Sequence, residues 1–97
     1  MSKRRNTKGD QVALKRIKAK GYPVINPVNT GVKISRYLTD SGCTVSDLQE
    51  YLGFNHPTSI YRWQNGEAVP RVDNLIALAE FFECTIDDLV CYDMVST

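Results

Sequence analysis

No apolar run in this sequence approaches the roughly 18 residues of a membrane span, although 42% of its 97 residues are hydrophobic. The N-terminus is charged and lacks the apolar stretch of a secretory signal, so the chain is expected to stay in the cytosol. There is one histidine, His56, and there are three cysteines, Cys43, Cys84 and Cys91. No two cysteines stand in Cys-x-x-Cys spacing, so the expectation is three reduced, partly buried thiols and no metal centre. Also missing are a phosphate-binding glycine loop and a nucleophile beside the histidine. An enzyme is therefore not expected, nor a cofactor or a small-molecule ligand. No segment shows a convincing strand alternation and no internal repeat occurs, which points to an all-α fold.

Charge is present but unevenly placed. The net charge is only +1. Residues 1–23 hold eight basic side chains (Lys3, Arg4, Arg5, Lys8, Lys15, Arg16, Lys18 and Lys20) against Asp10, a net +7. Residues 24–97 hold Lys33, Arg36, Arg62 and Arg71 against ten acids, a net −6. A largely acidic globular part does not behave as a non-specific nucleic-acid sponge. Its few cations matter through their positions.

The chain reads as one small domain with a basic N-terminal extension and linker over 1–28, a helical unit over 29–90 and a weakly specified tail over 91–97. Asp10 can cap a short helix to about Lys20, stopped by Gly21 and Pro23, and Tyr22–Val28 reads as extended linker. A helix is predicted from Asn29 or Thr30 to about Asp40, burying Ile34, Leu38 and part of Tyr37. Thr44 then caps a second helix with Asp47 completing a capping box, and Val45, Leu48 and Leu52 form its inner stripe. Gly53 occupies a tight turn that favours a left-handed backbone, after which Phe54 tucks into the core.

The third helix is predicted to begin near Pro57, a residue suited to a first helical position. Ile60 and Trp63 point inward, and Asn65-Gly66 closes the helix. A fourth helix from about Val72 to Glu83 buries Leu75, Leu78, Ala79 and Phe82. Thr85 and Asp88 form a second capping box on a short fifth helix that buries Ile86 and Leu89. The stretch Leu48–Pro70 thus has the layout of a tight helix-turn-helix, in which one helix braces another that can project into a DNA major groove.

These residues carry a resemblance. Thr44…Leu48…Leu52-Gly53-Phe54, Ile60-Tyr-Arg-Trp63-Gln-Asn-Gly66 with Pro70, and Leu75-x-x-Leu78-Ala79-x-x-Phe82…Ile86-Asp-Asp-Leu89 resemble the Cro/C1-type, lambda-repressor-like (XRE) helix-turn-helix domain over about Asn29–Val90. The resemblance implies five helices with a recognition helix over about 57–64. Bases or flanking phosphates would be faced by His56, Thr58, Ser59, Tyr61, Arg62 and Asn65. Three positions depart from the family pattern. Val45 stands where a bracing glutamine is usual, one extra residue lies between Phe54 and Ile60, and Arg71 replaces a serine cap.

Arg62 is the leading base-reading candidate, since a guanidinium can grip guanine O6 and N7 together; the alternative is a solvated side chain or an ion pair with Glu50 or Glu67. Tyr61 either reaches a phosphate or thymine methyl or is half-buried surface. Thr58, Ser59 and Asn65 suit phosphate or adenine contacts but also helix capping, and His56 either caps or touches DNA. Lys33, Arg36 and Arg71 are phosphate clamps if they share a face with the recognition helix. The basic extension either tracks DNA phosphates or is a solubilising tail or the product of a mis-assigned start.

The resemblance implies a small bacterial or phage-type transcriptional regulator that binds double-stranded DNA. Its expected partner is a second copy in a weak homodimer, through the fifth helix and tail (Val90, Tyr92, Met94, Val95) or on DNA only. The alternative is a protein-interaction module, antitoxin-like or an accessory subunit, which the acidic balance of 24–97 favours.

Overall fold

The computed structural model describes residues 20–96 together with Lys15 and Arg16. The helix expected over 10–20 lies outside the described residues except at Lys15, Arg16 and Lys20, which have helical backbone. The described elements are β1 (Tyr22–Ile25), α1 (Pro27–Ser41), α2 (Val45–Leu52), α3 (Thr58–Gln64), α4 (Val72–Phe82), α5 (Ile86–Leu89) and β2 (Tyr92–Val95). The five helices enclose one core of Ile34, Leu38, Leu48, Ile60, Trp63, Leu78, Ala79 and Leu89. Each leucine or isoleucine among them contributes about 1.5–3 kcal/mol by leaving water. Leu52, Phe54, Phe82, Ile86 and Val45 lie at its margin, only partly buried.

Local chemistry sets the helix boundaries. Thr44 Oγ1 accepts from Asp47 N (3.1 Å) while Asp47 Oδ2 accepts from Thr44 N (2.8 Å), so the expected capping box opens α2. Thr85 and Asp88 repeat the arrangement on α5. Gly53 ends α2 in the left-handed region (φ 73°), which brings the chain round toward α3. Two starts differ from the sequence reading. α1 begins at Pro27, because Asn26 caps it by accepting from Asn29 N (2.9 Å) and proline suits the first helical position. Pro57 stands at the cap position of α3 rather than inside it.

The strands correct a second expectation. The segments read as linker and tail pair antiparallel as a two-stranded ribbon, with Tyr22 opposite Val95 and Ile25 opposite Tyr92. Neither strand alternates apolar with polar residues, because neither face of the ribbon is buried in the core. The ribbon is held on α1 by polar groups instead. Thr30, 1% exposed, accepts from Cys91 N (3.0 Å) and donates to Cys91 O (3.4 Å). Asn26 N donates to Cys91 O (2.8 Å), and Asn26 Nδ2 to Asp93 Oδ2 (3.0 Å). The three cysteines are unpaired and partly exposed. No helix among the described residues is long and apolar enough to cross a membrane.

Candidate nucleic-acid interface

Helix α3 is amphipathic over two turns, and its inner face fixes its position. Ile60 is fully buried and Trp63 is 4% exposed, with the indole set edge-on to Phe54 at 5.9 Å between centroids. Phe54 comes from the turn after α2, so one aromatic pair ties turn and helix together. Gln49 braces the same turn. Its Nε2 donates to Phe54 O (3.2 Å) and its backbone carbonyl accepts from Phe54 N (3.1 Å). The far end of α3 rests on α1 with almost no clearance. A Cβ at Gly31 would stand 2.2 Å from Trp63 O, and one at Gly66 2.9 Å from Val28 Cα.

Held this way, α3 turns Thr58, Ser59, Tyr61, Arg62 and Asn65 to solvent. Tyr61 is 49% exposed. His56, also exposed, joins Thr58 and Ser59 around a shallow concavity floored by Gly53, Phe54 and Asn55. The structure therefore brings together six of the nine sequence-predicted residues. Arg62 Nε lies 3.7 Å from Glu67 Oε1, with both side chains more than half exposed. Such an exposed pair is worth roughly 0–1 kcal/mol, so it orients the guanidinium without sequestering it.

The other three cations are placed differently. Lys33 lies two residues beyond Gly31 and Arg36 five, which at about 100° per residue puts both on the half of α1 turned from α3. There they share a depression with Tyr37 and Asp40, and Lys33 Nζ donates to Asp88 O (3.0 Å). Neither shares the face of α3. Arg71 takes the cap position of α4 without a side-chain cap bond, beside Val72 and Ile76 and beyond the loop that leaves α3.

The α1–α5 contact displaces the ionisation of its own groups. Hydrogen bonds from the Thr85 backbone and hydroxyl hold Asp88 below the usual carboxylate range, and Lys33 adds to the effect. Burial, then the neighbouring Asp88, pushes up both the Tyr37 phenol and the Cys84 thiol. Among the described residues, no group of three or more His, Cys, Asp or Glu could hold a metal ion.

Two positioning residues escaped the sequence reading. Gly31 carried a signal, since glycine inside a helix costs about 1 kcal/mol and so points to a close approach. Gln49 carried none, because its role depends on the path of the turn.

Comparison with known proteins agrees with this geometry. A family model described as helix-turn-helix matches residues 34–89. Among solved structures, the crystal structure of the DNA-binding domain of BldD is similar, with a TM-score of 0.59 and 18% sequence identity, over 68% of this chain and 94% of that one. At that identity the likeness shows the fold alone. No curated protein matches the sequence. With more than half of its residues matched by the family model, the chain belongs to the helix-turn-helix family of Cro/C1, or XRE, type, which comprises DNA-binding regulators and not enzymes.

Proposed function

We propose that the protein is a sequence-specific transcriptional regulator that inserts α3 into the major groove of double-stranded DNA. The observation that carries this is the division of α3 itself. Two large apolar side chains clamp one face to the core, while Thr58, Ser59, Tyr61, Arg62 and Asn65 are exposed on the other. Arg62 reads guanine by donating to O6 and N7, releasing Glu67 as it does so. Tyr61, Thr58, Ser59, Asn65 and His56 contact flanking phosphates or adenine edges. Binding as a dimer to half-sites about one helical turn apart would place the operator under two copies, where occupancy blocks or assists polymerase.

The test is selection from a random DNA library, followed by affinity measurements with Arg62→Ala. An enriched motif containing guanine is expected, and the variant should lose about 1–3 kcal/mol of binding and relax its preference at that base. Affinity should also fall steeply with salt, as phosphate contacts require. No enriched motif, together with unchanged DNA retention by Arg62→Ala, would overturn the reading. Weak salt dependence would favour an apolar protein interface instead.

A further inference from the structure

The side of the helical unit formed by α2 and α4 carries an aromatic face. Tyr51 of α2, 47% exposed, lies against Phe81 of α4 with 4.9 Å between ring centroids and the planes tilted by 50°. Phe82 adjoins both Phe81 (5.3 Å) and Tyr37 (5.6 Å). Four rings thus form one tract from α2 across α4 to α1, and none of them is fully buried. The two ends of the tract differ in charge. At the Tyr37 end, Lys33 and Arg36 share a depression with the ring. At the Tyr51–Phe81 end there is no cation to do so, since α2 and α4 contain Asp47, Glu50, Asp73 and Glu80 and no lysine or arginine. All four acids are exposed, and none is in an ion pair among the described residues. Asp47 stands one turn before Tyr51, on the same face of α2.

An exposed aromatic face among carboxylates suits lysine and arginine, which the ring quadrupole and the acids attract together. This chain supplies them in one stretch. Lys3, Arg4, Arg5 and Lys8 fall within six residues that hold no acid. The stretch is long enough in its tether to reach the face. The chain from Lys8 to Gly21 spans up to about 45 Å when extended, whereas a helical unit of this length is about 30 Å across. Tethering also raises the effective concentration of the stretch to roughly millimolar, so several individually weak contacts suffice and no second copy is required.

We propose that residues 3–8 dock on the Tyr51–Phe81 face of their own chain, with guanidinium groups over the rings and ammonium groups among Asp47, Glu50 and Glu80. The charge asymmetry of the sequence, +7 against −6, is then an internal complementarity. Its consequence is competition, because a cation held by these acids is withheld from any other polyanion. The docking does not depend on the DNA reading and is tested without DNA.

The experiment is carbodiimide cross-linking of the full chain at low salt, which joins lysine amines directly to carboxylates in contact with them. An equal mixture of ¹⁴N- and ¹⁵N-labelled protein separates links within a chain from links between chains, as mapped by mass spectrometry. Lys3 and Lys8 are expected to join Asp47, Glu50 or Glu80 within one chain, with a yield that falls as salt rises. Tyr51→Ala removes the exposed ring and no cross-linking group, and should lower that yield about two- to fivefold. Should Tyr51→Ala lose its helical circular dichroism, the double variant Arg4→Gln, Arg5→Gln decides. It lies outside the helical unit, leaves both lysines in place, and should lower the yield at least as much. Links from Lys3 and Lys8 spread without preference over the acids of every element, links only between chains, or a yield indifferent to the substitutions overturns the proposal.

Discussion

Trp63 and Gly31 together determine where the reading face stands. Trp63 fills the space between α3 and the turn, with Phe54 against its edge, so Trp63→Ala leaves a cavity that its neighbours only partly close. A loss of about 3–5 kcal/mol is expected, and an unchanged midpoint in a circular dichroism melt would refute it. Gly31→Ala tests the opposite fault. The new methyl meets the carbonyls of Trp63 and Gln64, backbone atoms that cannot swing aside as a side chain can. Overpacking of this kind costs about 1–3 kcal/mol, and it should weaken DNA binding beyond what the reduced stability explains, because α3 must shift. Equal melting and equal affinity in wild type and variant would show that α1 does not set the position of α3. Residues of this kind mark the limit of what a sequence discloses. Ile60 and Trp63 were legible as inward positions from their spacing of three. The ion pair of Arg62 was foreseen only as one of two options, since choosing between Glu50 and Glu67 requires the course of the chain after Gly66.

Among the elements, those whose ends are fixed by neighbouring residues were read most fully from sequence. Both capping boxes fall where Thr44–Asp47 and Thr85–Asp88 spacing placed them, because a cap and its partner lie within one turn. The cap of α5 also carries a pH dependence. The folded state holds Asp88 below its ordinary range, so its contribution is present above that range and is lost as pH falls through the folded value, below about pH 4. Asp88→Asn should therefore melt below wild type at neutral pH, and the gap should narrow in acid. A constant gap across that window would show that the carboxylate's ionisation is not what stabilises the cap. The strands were missed for the converse reason. Pro23 reads as a breaker in a local window, yet it occupies the position whose N–H the ladder does not use. Its partner strand lies some 70 residues on, beyond the reach of any periodicity.

At the scale of the whole molecule, a helical unit of net −6 follows a segment of net +7. If the basic segment tracks phosphates, deleting residues 1–21 should leave the melting of the helical unit intact and flatten the salt dependence of DNA binding. The log–log slope should fall by about 0.9 for each phosphate that the segment neutralises. An identical slope would remove the segment from the interface. The clasp between α1 and β2 bears on how the two parts are joined. It links Thr30 to Cys91 across 61 positions and Asn26 to Asp93 across 67, whereas the caps and turns of the helices close over a few. Loops of that length are entropically costly to close, and both strands are exposed along nearly all of their length, so the ribbon is expected to open ahead of the core. Its amides should exchange with solvent ahead of those of α1 and α4. In each opening, β1 loses its ladder to β2 and keeps its covalent link to α1 through Asn26. The opening of the ribbon is thereby a local equilibrium distinct from the unfolding of the core.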